Sequence, residues 1–317
     1  MKFVRMLAGV LIVVGFAGGF LSAARSAQDN KLVTIGFQKY GNLIVLKGAG
    51  LLEKKLAPLG FKVEWKEFPS GPPLLEALNA GAIDFGHAGE TPPIFAQAAG
   101  VPFVYVAYEP PAPRGEAILV PRDSPIKTLA DLKGKKIGLN KGSNVHYLLV
   151  RALDSGGVKY SEIEPVYLAP ADARAAFERG AIDAWVIWDP FQAAAEAATG
   201  ARTLANATGL APNRQFYLAS RVFADANPAA VDAIVSATAD LDKWADGKET
   251  AVAQQLSAGI GISASILEVA LKRQTYGVRP LDAETVADQQ RIADAFYALG
   301  LIPKQIVVSS AVRKPTS

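Results

Sequence analysis

The chain of 317 residues contains no cysteine. That absence removes disulfides, thiolate-bound zinc, iron–sulfur clusters and thiol nucleophiles together. It also removes the lipid-carrying cysteine at the cleavage site of a bacterial lipoprotein. Histidine is scarce: His87 and His146 are the only two, and neither stands in HExxH or a similar metal spacing. No GxSxG elbow, Walker A loop or GxGxxG after a strand occurs. Ser124-Pro-Ile-Lys127 fits an SxxK pattern. No Ser-Asp-Asn or Lys-Thr-Gly completes that set, so the match is read as chance. No catalytic residue, metal or cofactor is expected.

Long apolar runs are also rare. One extends from Met6 to Leu21, preceded by the basic MKFVR and followed by the small-residue patch SAARSAQ. That order is the signature of a secretory signal peptide, expected over residues 1–26 with cleavage after Ala24 or Ser26. The run is at or just below the length a membrane span needs. Removing Lys2 and Arg5 lowers the net charge from +3 to +1, and removing Arg25 as well brings it to zero. The excess of basic residues therefore argues for no nucleic-acid partner. An exported chain without a lipid anchor is expected to be soluble in a periplasm.

What the sequence does contain is one phrase stated twice. Ile35 opens IGFQKYGN and Ile137 opens IGLNKGSN; Gly81-Ala-Ile-Asp84 recurs as Gly180-Ala-Ile-Asp183. The copies lie about a hundred residues apart, too long for a solenoid repeat and suited to two similar α/β lobes. Two like lobes leave a cleft between them.

Alternating β-branched stretches such as LVTIGFQ and FKVEWKEFP read as strands. LIVLKGAGLLEKKLAPLG reads as one helix ending at Gly60, and Ser70 precedes a helix that opens with prolines. Strand–helix alternation implies parallel pairing with right-handed crossovers. The stiff segment Glu109-Pro-Pro-Ala-Pro-Arg114 is the expected first crossover between lobes, and Phe216–Ser220 the return. Lobe one is expected over 30–112 and 217–317, and lobe two over 113–216. Residues 228–299 read as helical, a tail packed on the outside of lobe one.

Ligands of open parallel sheets lie beyond the carboxyl ends of the strands. Four strand-to-helix loops there share one chemistry: Gln38–Asn42, Pro69–Gly71, Gly89–Thr91 and Lys141–Asn144. Each offers glycine for close backbone approach, and three carry a Ser or Thr hydroxyl at an expected helix start. Free N–H groups at such starts bind anions; the bland reading is that these residues merely cap their helices. Trp188 is a candidate apolar wall for a ligand's organic part. Asp189 either caps the next helix or meets a cationic group. Tyr40 and Tyr108 are possible walls, with core packing the commoner fate. His87 reads as a core histidine, and His146, in the first turn of its helix, as a cleft wall rather than a base.

The phrases FPSGPPLLEALNAGAIDFGHAGETPPIFAQAAG, SPIKTLADLKGKKIGLNKGSN and LAPADARAAFERGAIDAWVIWDPF closely resemble the aliphatic-sulfonate-binding proteins of ABC importers. Taurine-, nitrate- and thiamine-precursor-binding proteins are more distant relatives. The resemblance implies an α/β, two-lobed type II periplasmic binding protein fold that closes on its ligand. It implies delivery of an organosulfonate to an ABC permease, most simply by a monomer. It places Gln38, Ser70, Gly71, Gly89, Glu90 and Thr91 of lobe one, with Ser143, Asn144 and Trp188 of lobe two, around the sulfonate. His87 in FGHAGET departs from the small or hydroxyl residues expected there. The rival is another small anion or heterocycle, or an enzyme on the same fold. The thiamine-pyrimidine synthases that resemble these receptors carry a cysteine-rich segment this chain lacks.

Overall fold

Strands and helices alternate through most of the computed structural model, which describes residues 31–314; the expected signal peptide lies outside that range. The strands are β1 (Lys31–Phe37), β2 (Phe61–Glu67), β3 (Phe85–Gly89), β4 (Phe103–Tyr108), β5 (Glu116–Val120), β6 (Lys136–Leu139), β7 (Glu164–Tyr167), β8 (Ala184–Trp188), β9 (Arg202–Asn206) and β10 (Gln215–Ser220). The helices are α1 (Asn42–Ala49), α2 (Leu51–Leu56), α3 (Gly71–Asn79), α4 (Thr91–Ala98), α5 (Asn144–Ser155), α6 (Pro170–Glu178), α7 (Phe191–Thr199), α8 (Arg221–Ala226), α9 (Pro228–Ala245), α10 (Glu249–Ile260), α11 (Ala264–Leu271) and α12 (Ala283–Ala298).

Two five-stranded sheets result, ordered β2-β1-β3-β10-β4 and β7-β6-β8-β5-β9. Their first three strands pair in parallel, as strand–helix alternation demands. The fourth runs antiparallel to both neighbours because it has just crossed from the other lobe. β10 occupies in the first sheet the position β5 holds in the second. It begins at Gln215, just ahead of the expected boundary at 217.

The repeated phrase has a physical cause. A side chain on Gly36 would come within 2.6 Å of the Ile83 side chain, and one on Gly138 would collide with Ile182. The glycine of each IG pair thus leaves room for the isoleucine of its GAID, at equivalent points of the two sheets. The aspartates match too: Thr34 N–H donates to Asp84 Oδ2 and Lys136 N–H to Asp183 Oδ2, each at 2.8 Å.

Two expectations need correction. The helix after β1 breaks at Gly50, whose φ of 59° suits glycine and ends α1. The C-terminal tail does not stay on lobe one. α9 packs on α1, α2 and β4, but α11 packs on α7, and Phe296 of α12 touches both lobes. Its ring centroid lies 5.1 Å from that of Phe95, 5.2 Å from His146 and 6.0 Å from Tyr147. Apolar helical spacing fixes which face is buried, not what it is buried against.

Candidate functional site

The loops at the carboxyl ends of β1, β2, β3 and β6 meet where the sheets face each other. α1, α3, α4 and α5 begin there, and none of the four has a side-chain cap bond. Ser70 holds the cap position of α3 without capping it. Ser143 holds that of α5, but its Oγ donates to Asn140 O at 2.7 Å. The first N–H groups of these helices therefore have no side-chain acceptor, and their dipoles favour negative charge.

Close packing joins the loops. A side chain on Gly71 would lie 2.6 Å from the Pro92 ring, and one on Gly89 would lie 2.7 Å from Asn144 Cβ, across the lobes. Gln38 Nε2 donates to His87 O at 3.0 Å. Asn144 Nδ2 donates to Glu116 Oε2 at 2.5 Å and to Asn213 Oδ1 at 3.1 Å. One N–H of Gln38 and both of Asn144 are thus committed within the protein, leaving the second Gln38 N–H, backbone N–H groups and the Ser70 and Thr91 hydroxyls for a ligand. Among the described residues, several buried polar atoms near this junction lack partners: Thr91 Oγ1, Glu90 Oε1, Glu116 Oε1, Gln215 Oε1 and both ring nitrogens of His87. Buried polar groups are normally paired, so this concentration makes the junction the candidate site.

The remaining candidates divide. Tyr40 and Asp189 line one cavity together with Gly41. Asp189 Oδ1 accepts from Ala193 N–H at 3.0 Å, and Arg273 Nη1 lies 3.4 Å from its Oδ2. It therefore serves the following helix and meets a cation of the protein's own tail. Trp188 is buried opposite Glu116 in the register of β5 and β8, edge-on to Phe191. His146 points away from the Tyr40–Asp189 cavity. Its Nδ1 accepts from Gly142 N–H at 3.2 Å, so its Nε2 donates to Tyr160 OH at 2.8 Å, which bonds Tyr167 OH at 3.1 Å. Tyr108 donates to Asp282 Oδ2 at 2.7 Å, outside the cleft chemistry.

An NMT1-like family model matches residues 26–260. An Escherichia coli (strain K12) protein named for aliphatic sulfonate binding is 43% identical over 98% of this chain and 95% of its own length. The chain belongs to the NMT1-like family, among its aliphatic sulfonate-binding members. The crystal structure of the periplasmic aliphatic sulphonate binding protein SsuA from Escherichia coli matches with a TM-score of 0.82 at 43% identity, covering 90% of this chain and 93% of that one. The alkanesulfonate-binding SsuA of Xanthomonas axonopodis pv. citri, bound to MOPS, matches with a TM-score of 0.86 at 42% identity, covering 90% and 98%.

The electrostatics of this family member are set by burial. His87, fully enclosed, is pushed down to about 3 and His146 to about 4, both first by desolvation. Both rings are neutral at physiological pH. Burial pushes Glu90 up to about 7 against the bond it accepts from Arg214 N–H, and raises Glu116, whose charge also opposes that of Glu90. Tyr40 is raised by burial and by the surrounding carboxylates Glu116, Glu109, Asp189 and Glu90.

Behind α1, burial and the charge of Asp242 push Glu109 up to about 8. Its Oε1 accepts from Asn42 Nδ2 at 3.0 Å and Tyr217 OH at 2.6 Å. Asp242 carries the charge of this pair, supported by Gly277 and Val278 N–H and by Asn42. A carboxyl raised on folding holds its proton in the folded state after the unfolded chain has lost it. Its stabilising contribution is full below about pH 4.5, the ordinary glutamate value, and is lost as pH rises through about 8. Melting temperature should therefore fall between those limits. Glu109→Gln keeps both accepted bonds and cannot ionise, so it should flatten that slope in a pH series of thermal melts. An unchanged slope would refute the assignment.

Proposed function

We propose that the protein is a periplasmic solute receptor that captures aliphatic sulfonates in the interlobe cleft and delivers them to an ABC permease. The observation that carries this reading is the meeting of four uncapped helix starts with unpartnered hydroxyl and carboxyl groups. A sulfonate is a permanent anion with three acceptor oxygens and no proton, so it needs several donors and no full counter-charge. Gln38, Ser70, Gly71, Gly89, Glu90 and Thr91 face it from lobe one, mainly through backbone N–H and hydroxyl groups; Ser143 and Asn144 face it from lobe two. Trp188 and His146 support the walls from behind. Asp189, held by Arg273, is not free to take a ligand ammonium. The similar proteins are named for binding, and the receptor reading assigns no catalytic step to this cleft. The bodies that close are residues 31–112 with 217–314, and 113–216, with the C-terminal helices also touching the second body, in a monomer that presents both lobes to its transporter.

A thermal-shift panel on the mature protein tests this. Sulfate, nitrate, ethanesulfonate, longer alkanesulfonates, taurine and a pyrimidine are compared. A ligand at about a hundred times its Kd stabilises by about 2.7 kcal/mol. Alkanesulfonates should raise the melting temperature and sulfate should not. Thr91→Ala should weaken sulfonate binding by about 1.5–3 kcal/mol, about tenfold or more, with the fold near wild type, whereas Ser143→Ala, whose hydroxyl proton already goes to Asn140 O, should change it less. Absence of any shift with sulfonates would move the assignment to nitrate or pyrimidines.

A further inference from the structure

Two carboxyl groups come together where the lobes touch, and a sulfonate, itself an anion, has no use for either charge. Glu90 stands immediately before α4 of lobe one, Glu116 is the first residue of β5 in lobe two, and both are buried. They are joined through shared partners. Asn144 Nδ2 donates to Glu116 Oε2 at 2.5 Å and to Asn213 Oδ1 at 3.1 Å; the next residue, Arg214, gives its N–H to Glu90 Oε2 at 2.9 Å. Each carboxyl keeps one oxygen, Glu90 Oε1 and Glu116 Oε1, without a partner among the described residues. A buried carboxylate with an unpaired oxygen is costly unless it is neutralised.

The surroundings supply little positive charge. The Arg214 guanidinium acts on Glu90, but its Nη1 is held by Asp288 of α12 at 2.6 Å. One buried guanidinium thus serves Glu90, Glu116 and Asp288, with the exposed Arg291 helping at Asp288. Tyr40 of the β1 loop and Tyr147 of α5 feel these carboxyls as neutral phenols, and Glu109 and Asp189 add negative charge around Tyr40. His87 of β3 is enclosed and neutral.

We propose that the closed lobes hold one proton between Glu90 and Glu116, so that ligand capture takes up a proton from solvent. The inference rests on the receptor reading above. A proton on either group turns an unpartnered acceptor into a donor and removes one of two like charges. When the lobes part, Glu90 leaves with lobe one and Glu116 with lobe two, water reaches both, and each returns toward its ordinary acidity. Burial pushes Glu90 up to about 7 and raises Glu116, with the charge of Glu90 as the second cause. The closed form therefore binds the proton more tightly. Affinity is full below about pH 4.5, the ordinary glutamate value, and is lost as pH rises through about 7. A simple alkanesulfonate has no group that titrates there, so the linkage belongs to the protein.

The test is calorimetric titration of the mature protein with butanesulfonate at about pH 6, in phosphate and in bis-tris, two sulfonate-free buffers of unequal ionisation enthalpy. The difference in heat should correspond to about one proton taken up per ligand, and Kd should rise by up to about tenfold per pH unit between about pH 5 and 7. Glu116→Gln keeps an acceptor for Asn144 and cannot ionise. It should bring the uptake near zero and, at about pH 8, bind about tenfold more tightly than the wild type. Loss of a structural contact alone would not give that gain. If the variant does not fold, the wild-type buffer comparison decides alone. Binding with equal heats in the two buffers would overturn the proton site while leaving the sulfonate receptor standing. Uptake that survives Glu116→Gln would put the proton elsewhere, with Asp189 beside Arg273 the next candidate, and would also overturn it. Failure of butanesulfonate to bind at any pH would overturn the receptor reading and the proton site with it.

Discussion

Replacing Gly89 by valine is expected to abolish ligand capture, raising Kd by about a hundredfold or more, the equivalent of about 2.8 kcal/mol. Gly89 ends β3 and lies across the cleft from the start of α5. A β-carbon there would sit 2.7 Å from Asn144 Cβ and 3.0 Å from Asn144 Cγ. The asparagine cannot yield, since its amide is held by Glu116 and Asn213. Nor is the backbone of Gly89 in the left-handed region, so valine imposes no strain on lobe one by itself. The clash exists only when the lobes meet. Calorimetry with an alkanesulfonate should show the loss while circular dichroism stays as in the wild type. Wild-type affinity in the variant would mean that the ligand is held without this contact.

Phe296→Ala should produce the largest loss of stability. The ring is fully buried, and it packs against Phe95 of the first lobe and His146 and Tyr147 of the second. Truncating such a phenylalanine removes its transfer free energy and leaves a cavity, together about 3–5 kcal/mol. At about 2–4 °C per kcal/mol, the melting temperature should drop by about 10 °C. The cavity opens where the tail bridges the lobes, so nearby groups cannot collapse into it without moving one lobe against the other. Differential scanning calorimetry would check this, and a drop of only a degree or two would show that α12 is loosely docked.

The architecture was legible because the sequence repeats itself for packing reasons. Gly36 under Ile83 and Gly138 under Ile182 leave the same trace in two places, and a trace that recurs is readable without a structure. The proline-rich crossover was legible from its stiffness, and glycines and hydroxyls at helix starts marked the loops we propose for the anion. The antiparallel insertion of β5 and β10 was less so, since a strand's own residues do not state its direction relative to neighbours. β9 went unread for a related cause: RTLAN is short and half-buried, with little alternation to mark it.

The apolar surroundings of the Tyr40–Asp189 cavity were hidden for another reason. Leu256, Ile260, Leu267 and Leu271 stand at i, i+4 spacing within their helices, the pattern of any core-facing stripe. Nothing in that spacing separates a residue lining a cavity from one filling a core. Arg273 was equally silent, as its partners Asp189 and Glu196 lie far off in the chain. The unpartnered nitrogens of His87 had one signal, a histidine where small or hydroxyl residues were expected.

The two crossover segments also fix how the lobes can move. They do not run separately: Glu109 N–H donates to Gln215 O at 2.8 Å, Ala112 N–H to Pro212 O at 3.1 Å, and Ala207 N–H to Pro113 O at 3.0 Å. Asn213 Nδ2 adds a bond to Ala112 O at 2.8 Å. Two chains laced side by side make a flat strap, which flexes across its thin direction and resists both torsion and sideways shear. A distance series between labels on Lys66 and Glu164, taken with and without an alkanesulfonate, should therefore show one bending mode about this strap rather than several.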